Sequence, residues 1–181
     1  MSTKVVTGKV RFSYLNVFTP RLPPNPKEGD VPKYNVTLLI PKSDKATLAK
    51  MKAAFDEAAA AKFPKLPAKL HSTLHDGDGT KPETGEPFGD ECTRHMVIVV
   101  ASKNKPGLVD ASMNEVIDPT AWNSGDFGKA SINAYAYEYQ GKKGVSFGLN
   151  NLQFLSKGES LGAGRSRAED DFEAEEDEAL N

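Results

Sequence analysis

The sequence predicts a mainly β domain, a small barrel of about five strands closed on one side by a single long helix, with a charged tail behind it. Three observations lead there. Short runs rich in β-branched and aromatic residues recur along the chain, one stretch of about twenty residues has helical spacing, and the last fourteen residues carry eight acids and no base. Strands that are not interleaved with several helices fit a barrel better than a layered α/β sandwich.

The elements follow in chain order. Residues 4–18, KVVTGKVRFSYLNVF, alternate with period two, so that Val10, Phe12 and Tyr14 share one face and Lys9, Arg11 and Ser13 the other. Gly8 interrupts this run, as glycine does where a strand bends sharply. The following PRLPPNPKEGDVP holds five of the twelve prolines and reads as an extended loop. A second strand, KYNVTLLI, spans 33–40. The helix comes next, in SDKATLAKMKAAFDEAAAAKFP, capped by Ser43 or Asp44 and stopped by Pro64. Its apolar stripe is Leu48, Met51, Phe55, Ala59 and Phe63, the spacing of a face packed on a core. Residues 65–93, rich in Gly, Pro, Asp and Thr, read as a long loop. Strands resume at 94–102, 107–110, 128–139 and 144–155, and the last two are joined by a QGKKG hairpin. From Lys157 a Gly/Ser linker leads into the acidic run, so the chain divides into a folded body, 1–157, and a flexible linker and tail, 158–181.

The chain has 181 residues and a formal charge of −2. A body of about 150 residues buries roughly two-thirds of its unfolded surface and needs no disulfides. The single cysteine, Cys92, excludes an internal disulfide and fits a reducing, cytoplasmic compartment. The N-terminal residues lead us to expect no secretory leader, and no apolar run reaches membrane-spanning length. The eight tail acids are Glu169, Asp170, Asp171, Glu173, Glu175, Glu176, Asp177 and Glu178, with Phe172 among them. Without them the 25 acids fall to 17 against 23 bases, which leaves the body at about +6. A basic body with an acidic tail is the charge pattern of a polyanion-binding surface and its tethered competitor. A solubilising tail on a body of scattered bases is the alternative.

The segment GKASINAYAYEY breaks that tie. Ala130, Ile132, Ala134 and Ala136 form one face, and Lys129, Ser131, Asn133, Tyr135, Tyr137 and Tyr139 the other. Small apolar residues suit the inside of a narrow barrel, which turns three tyrosines, an amide and a lysine outward. The reverse orientation would bury Lys129 and Asn133 and expose Ile132. Flat aromatic faces interleaved with cations are what a single strand of nucleic acid needs, for stacking and for its phosphates. Lys142 and Lys143 at the hairpin tip and Lys9 and Arg11 on the first strand extend the DNA-binding set. Trp122 and Phe127 join it because their loop leads straight into this strand, although a lone loop tryptophan is more often a packing anchor.

Two other constellations compete. His71, His75, Cys92 and His95 have the right ligand types for zinc, but their order and gap match no known finger, and solvated loop residues are the alternative. DGDG at 76–79 opens like a calcium loop, yet the third aspartate and the position-twelve glutamate are missing, so a turn is expected. No Walker motif, nucleophile elbow or dinucleotide fingerprint appears. The sequence calls for no cofactor, no metal and no enzyme activity.

Taken together, VRFSYLNVF, KYNVTLLIPKSD, LHDGDG, GDFGKASINAYAYEYQGKKGVSFGLNNLQFL and the acidic C-terminus resemble the acidic-tailed, OB-fold single-stranded-DNA-binding proteins of bacteriophages. The likeness spans roughly residues 4–160. It implies a five-stranded OB-type barrel with a disordered tail, binding of single-stranded DNA without strong sequence preference, and a role in phage DNA replication or recombination in the host cytoplasm. It also implies that the tail competes with DNA and recruits replication partners such as the polymerase or helicase, and it is compatible with a homodimer. Two features depart from the family pattern: Phe172 lies near the start of the tail and not at its end, and the helix follows the second readable strand where an OB fold places it after the third. A virion structural protein that uses the tail as a docking peptide is the rival from another class.

Overall fold

The computed structural model describes residues 3–22, 26–65, 67, 69–81 and 84–159. Its elements run β1 (Lys4–Val6), β2 (Val10–Arg21), β3 (Lys33–Pro41), α1 (Lys45–Lys62), β4 (His71–Ser72), β5 (His75–Asp76), a 3-10 turn (Asp90–Cys92), β6 (His95–Ser102), β7 (Gly107–Val109), β8 (Phe127–Tyr139) and β9 (Lys142–Ser156). The mainly β fold with one long helix is as expected. The linker and acidic tail expected from 158 onward fall almost wholly on residues 160–181, outside the described residues.

Five strands close into a ring in the order β8-β2-β3-β6-β9, because β8 pairs with both β2 and β9. All ring pairings are antiparallel except β6–β9. Among the described residues no strand lies between Arg21 and Lys33, so α1 joins the second and third ring strands. The helix position read from the sequence is therefore a genuine variation in connectivity.

Alternation explains what fills the ring. Val10 and Phe12 of β2, Val36, Leu38 and Ile40 of β3, Ile98 and Val100 of β6, Ala130, Ile132 and Ala134 of β8, and Val145, Phe147 and Leu149 of β9 are all buried in one core. Phe12 meets Phe154 edge-to-face with centroids 5.5 Å apart. The helix lies over this core on Met51, Ala54, Ala58 and Ala59, with Leu48 and Phe55 half-buried beside them. Small alanines let the helix axis approach β8 closely.

Asp44 caps the helix by accepting from the Thr47 amide at 3.1 Å, and the Thr47 hydroxyl both donates to Asp44 at 2.6 Å and accepts from the Gly8 amide at 2.8 Å. A Cβ on Gly8 would lie 2.5 Å from Asp44 Oδ2, so a side chain there would push against the capping carboxylate.

Three expectations need correction. Tyr14 does not share the buried face of Val10 and Phe12; it is 60% exposed, and Ser13 is buried in its place. A register shift between Ser13 and Asn16, with Tyr14 at φ 46°, flips the side chain outward. The 65–93 loop also contains order that periodicity cannot reveal, because β4 pairs with β9 and β5 with β6 over only two residues each. The hairpin tip is tighter than QGKKG implies. Gln140 and Gly141, both at positive φ, form a two-residue turn, and Lys142 already belongs to β9.

Candidate nucleic-acid interface

The long β8–β9 ladder places the tyrosine face. With Ala130, Ile132 and Ala134 buried, the alternate residues of β8 point away from the core. Tyr135 is 49% and Tyr139 65% exposed. Tyr137 is half-buried because it lies across Gly144, where a Cβ would come within 2.5 Å of its hydroxyl. Lys129 is exposed, whereas Asn133 is engaged by β1, accepting from the Thr3 hydroxyl at 3.2 Å. Lys142 is exposed at the tip, and the Lys143 ammonium sits 5.5 Å from the Phe63 ring.

The remaining residues of the expected set lie at the opposite end of β8. Twelve residues separate Phe127 from Tyr139, about 40 Å along an extended strand. Phe127 is flanked by Lys9, with its ammonium 5.2 Å from the ring, and by Arg11 at 5.5 Å. Arg11 also donates to the Gly125 carbonyl at 3.0 Å and to the Glu159 carbonyl at 2.7 Å, which pins the chain where it leaves β9. Trp122 is half-buried. Its ring stacks on Phe154 at 4.9 Å and carries the Lys157 ammonium 5.0 Å above it. Lys157 in turn meets the buried Asp126 at 2.7 Å. The structure therefore brings Tyr135, Tyr137, Tyr139 and Lys142 together on one face, turns Lys143, which pairs with Glu138, to the opposite face over Phe63, and gathers Lys9, Arg11, Trp122 and Phe127 separately.

Between the two ends, the outer face of the ring carries a groove that sequence reasoning missed. One lateral row of paired residues runs Asn133–Gly148–Ala101–Asn35–Asn16, through β8, β9, β6, β3 and β2. Gly148 and Ala101 raise no bulk above the sheet, and Tyr135 flanks the row at Gly148. On the β3–β6 side the row opens into a groove of about 660 Å³. Its floor is Val99 and Ala101, and Arg21, Lys33 and Lys103 supply cations on its walls. Past Val99 the surface continues into a second hollow of about 360 Å³ with Lys81, His75 and Phe88, the two rings stacked at 6.4 Å. Strand faces two and three and the loop between strands one and two are where OB-type folds take up oligonucleotides, and β3, β6 and the β2–β3 loop occupy those places here. In the sequence, Lys33, Asn35 and Thr37 alternating with Val36 and Leu38 could have marked the outer face of β3. The apolar run of β6 hid the rest.

The competing constellations resolve into structural roles. Among the described residues no group of three or more His, Cys, Asp or Glu could hold a metal ion. Cys92 is buried, which pushes its thiol up, and the His95 ring contacts the Thr93 carbonyl through Nδ1. DGDG is a turn, as expected: Gly77 donates to the His95 carbonyl, and Asp76 and Asp78 clamp Lys42 at 2.5 and 2.7 Å. The Lys42 hydrogen bond holds both carboxyls below the usual range, helped by the Asp78 amide at Asp76 and the Arg94 amide at Asp78; the two aspartates raise Lys42 in return.

Among curated proteins none matches this chain. Among solved structures, the single-stranded DNA-binding protein from bacteriophage Enc34 in complex with ssDNA is similar, with a TM-score of 0.74 and 20% identity, covering 88% of this chain and 90% of that one. Gp2.5, a single-stranded DNA-binding protein encoded by bacteriophage T7, has a TM-score of 0.61 at 12% identity, over 91% of this chain and 97% of its own. Both share the fold described above. A family model described as the ssDNA-binding protein of Enterobacter phage Enc34 matches residues 3–180. The chain belongs to the family of the Enterobacter phage Enc34 ssDNA-binding protein.

Proposed function

We propose that this chain coats single-stranded DNA without strong sequence preference and serves phage DNA replication and recombination. The observation that carries the reading is the groove across β3 and β6, where Arg21, Lys33 and Lys103 surround the apolar floor of Val99 and Ala101. Cations on the walls suit a polyanion, and an apolar floor beside exposed tyrosines suits flat bases. Membership of a phage ssDNA-binding family supports the same reading, as does the relative solved with ssDNA. The protein acts by binding and is not an enzyme. The tyrosine end of β8 extends the path of the strand, with Tyr135 at the margin of the groove and Lys142 beyond it.

The acidic tail belongs to this reading as a tethered competitor for the cationic groove and as the contact for a polymerase or helicase. The host cytoplasm is the compartment in which it would act. Among the described residues no helix is long and apolar enough to cross a membrane.

A gel shift with single-stranded DNA, duplex DNA and RNA, with and without magnesium, tests the core of the reading. Single-stranded DNA is retarded and stays intact in both conditions. Its log affinity falls linearly with log salt, with a slope of roughly −2 to −3.5 for three to five phosphate contacts at about −0.7 each. Degradation of the strand, or an affinity indifferent to salt, overturns the proposal.

A further inference from the structure

We infer that the open edge of β8 at Tyr135–Tyr139 is where a second copy of this chain pairs, strand to strand. One edge of β8 is paired with β9 along its length. The other is covered by β2 at Phe127 and Gly128 and by β1 from Ser131 to Asn133, and the Ala134 amide donates to the Thr3 carbonyl at 2.9 Å. Among the described residues no strand pairs with that edge beyond Ala134. Backbone groups alternate sides along a strand, so Ala136 and Glu138 point their N–H and C=O groups the way Ala134 does. No described group bonds to them there.

An open edge is a template for another strand, and edges that stay single carry lysine, proline or a bulge. This stretch has no lysine, no proline and no register shift, and its one charge, Glu138, faces Lys143 across the hairpin. Hydrogen-bond phase then fixes how a second copy fits. The antiparallel register that uses every free group sets Ala136 opposite Glu138 of the second copy and Glu138 opposite its Ala136, with a two-fold axis at Tyr137. Such a pairing is isologous, so it closes as a dimer. On the outer face the same register sets Tyr135 opposite Tyr139 of the second copy, on both sides of the axis. These two side chains are 49% and 65% exposed, and directly opposed aromatics are among the favourable cross-strand pairs. The open backbone groups, their phase and the exposed rings therefore agree on one occupant. On the nucleic-acid reading of this face, the joined strands would carry the tyrosine surface of one copy into that of the other.

Sedimentation equilibrium of the full chain across a concentration series should show monomer and dimer in exchange. Glu138→Pro deletes a free amide in each copy and spares the β8–β9 ladder, because that amide points away from β9. It removes half of the hydrogen bonds between copies and should weaken the dimer roughly tenfold or more. Its affinity for an oligo(dT) too short to hold two copies should be unchanged. Tyr137→Cys tests the register. Two such thiols meet on the axis, so mild oxidation should give a covalent dimer. Glu138→Cys, whose counterpart is Ala136, should not, nor should the parent chain, whose one thiol is the buried Cys92. A parent chain that stays monomeric throughout the series overturns the inference. So does a Tyr137→Cys chain that cross-links no better than Glu138→Cys, and this comparison decides the matter should Glu138→Pro fail to fold. A parent chain that dimerises but binds no oligo(dT) at low salt would instead overturn the nucleic-acid reading and leave the strand pairing standing.

Discussion

The aromatic residues of this protein fall into two environments, and the difference predicts opposite behaviour on truncation. Tyr135 and Tyr139 project from β8 with about half or more of their surface open, so their rings are available for a base and contribute little to the core. Tyr135→Ala and Tyr139→Ala should each lose ~1–3 kcal/mol of single-strand binding with melting temperature nearly unchanged. Trp122 stacks on the fully buried Phe154 and shelters the Lys157–Asp126 pair. Trp122→Ala should instead cost about 3 kcal/mol of folding stability. Anisotropy with labelled oligo(dT) and thermal denaturation read the two quantities separately. A Tyr135→Ala protein that binds as tightly as the parent would remove the stacking argument. Tyr137 lies between these limits because it is propped on Gly144, and its truncation should register in both measurements.

At the scale of elements, the DGDG turn does structural work that depends on pH. Lys42, at the end of β3, is clamped by Asp76 and Asp78, and the same turn sends the Gly77 amide to the His95 carbonyl at the start of β6. Both carboxyls are held below their usual range in the folded chain, so their contribution is fully present above the ordinary carboxylate pKa and is lost as pH falls through and below it. Hydrogen-exchange protection of the Gly77 amide should therefore drop as pH is lowered past about 4, the ordinary carboxylate value. An Asp76→Ala/Asp78→Ala variant should already lack that protection at neutral pH; unchanged protection in the variant would show that backbone pairing alone holds the turn. This turn also shows what a sequence exposes. Elements that are long and periodic, such as β3, α1 and the β8–β9 hairpin, were legible because core packing and local pattern agree. Tyr14 was misplaced because one bulge inverts every later side chain, and β4 and β5 were invisible because two residues carry no period. The site divides in the same way. The outward tyrosines of β8 could be read from the small residues between them, whereas the floor of the groove could not. Val97 and Val99 look like interior residues until the ring closure puts them on its outside, and Gly148 meets Ala101 only through a parallel pairing distant in sequence.

For the whole molecule the decisive feature is the separation of charge between body and tail. Arg11 holds the Glu159 carbonyl, so the remaining chain departs from the Phe127 end of β8, next to Lys9. From Glu159 to Glu169 is ten residues, a reach of at most about 36 Å. On the proposed function, the tail acids tethered in this way would compete with phosphate for the groove lysines and arginine. A competitor so tethered would act at an effective concentration of roughly millimolar, and DNA would have to displace it to bind. Deleting residues 168–181 removes eight acids and moves the formal charge from −2 to about +6. The truncated protein should bind oligo(dT) more tightly at low salt. The advantage should shrink as salt rises, because tail and groove attract through charges screened over about 8–10 Å near physiological ionic strength. Titrations of both proteins across a salt series give the two curves, which should converge at the high-salt end. Identical curves at every salt concentration would leave the tail a solubilising appendage, and truncation would then change only the concentration at which the protein precipitates.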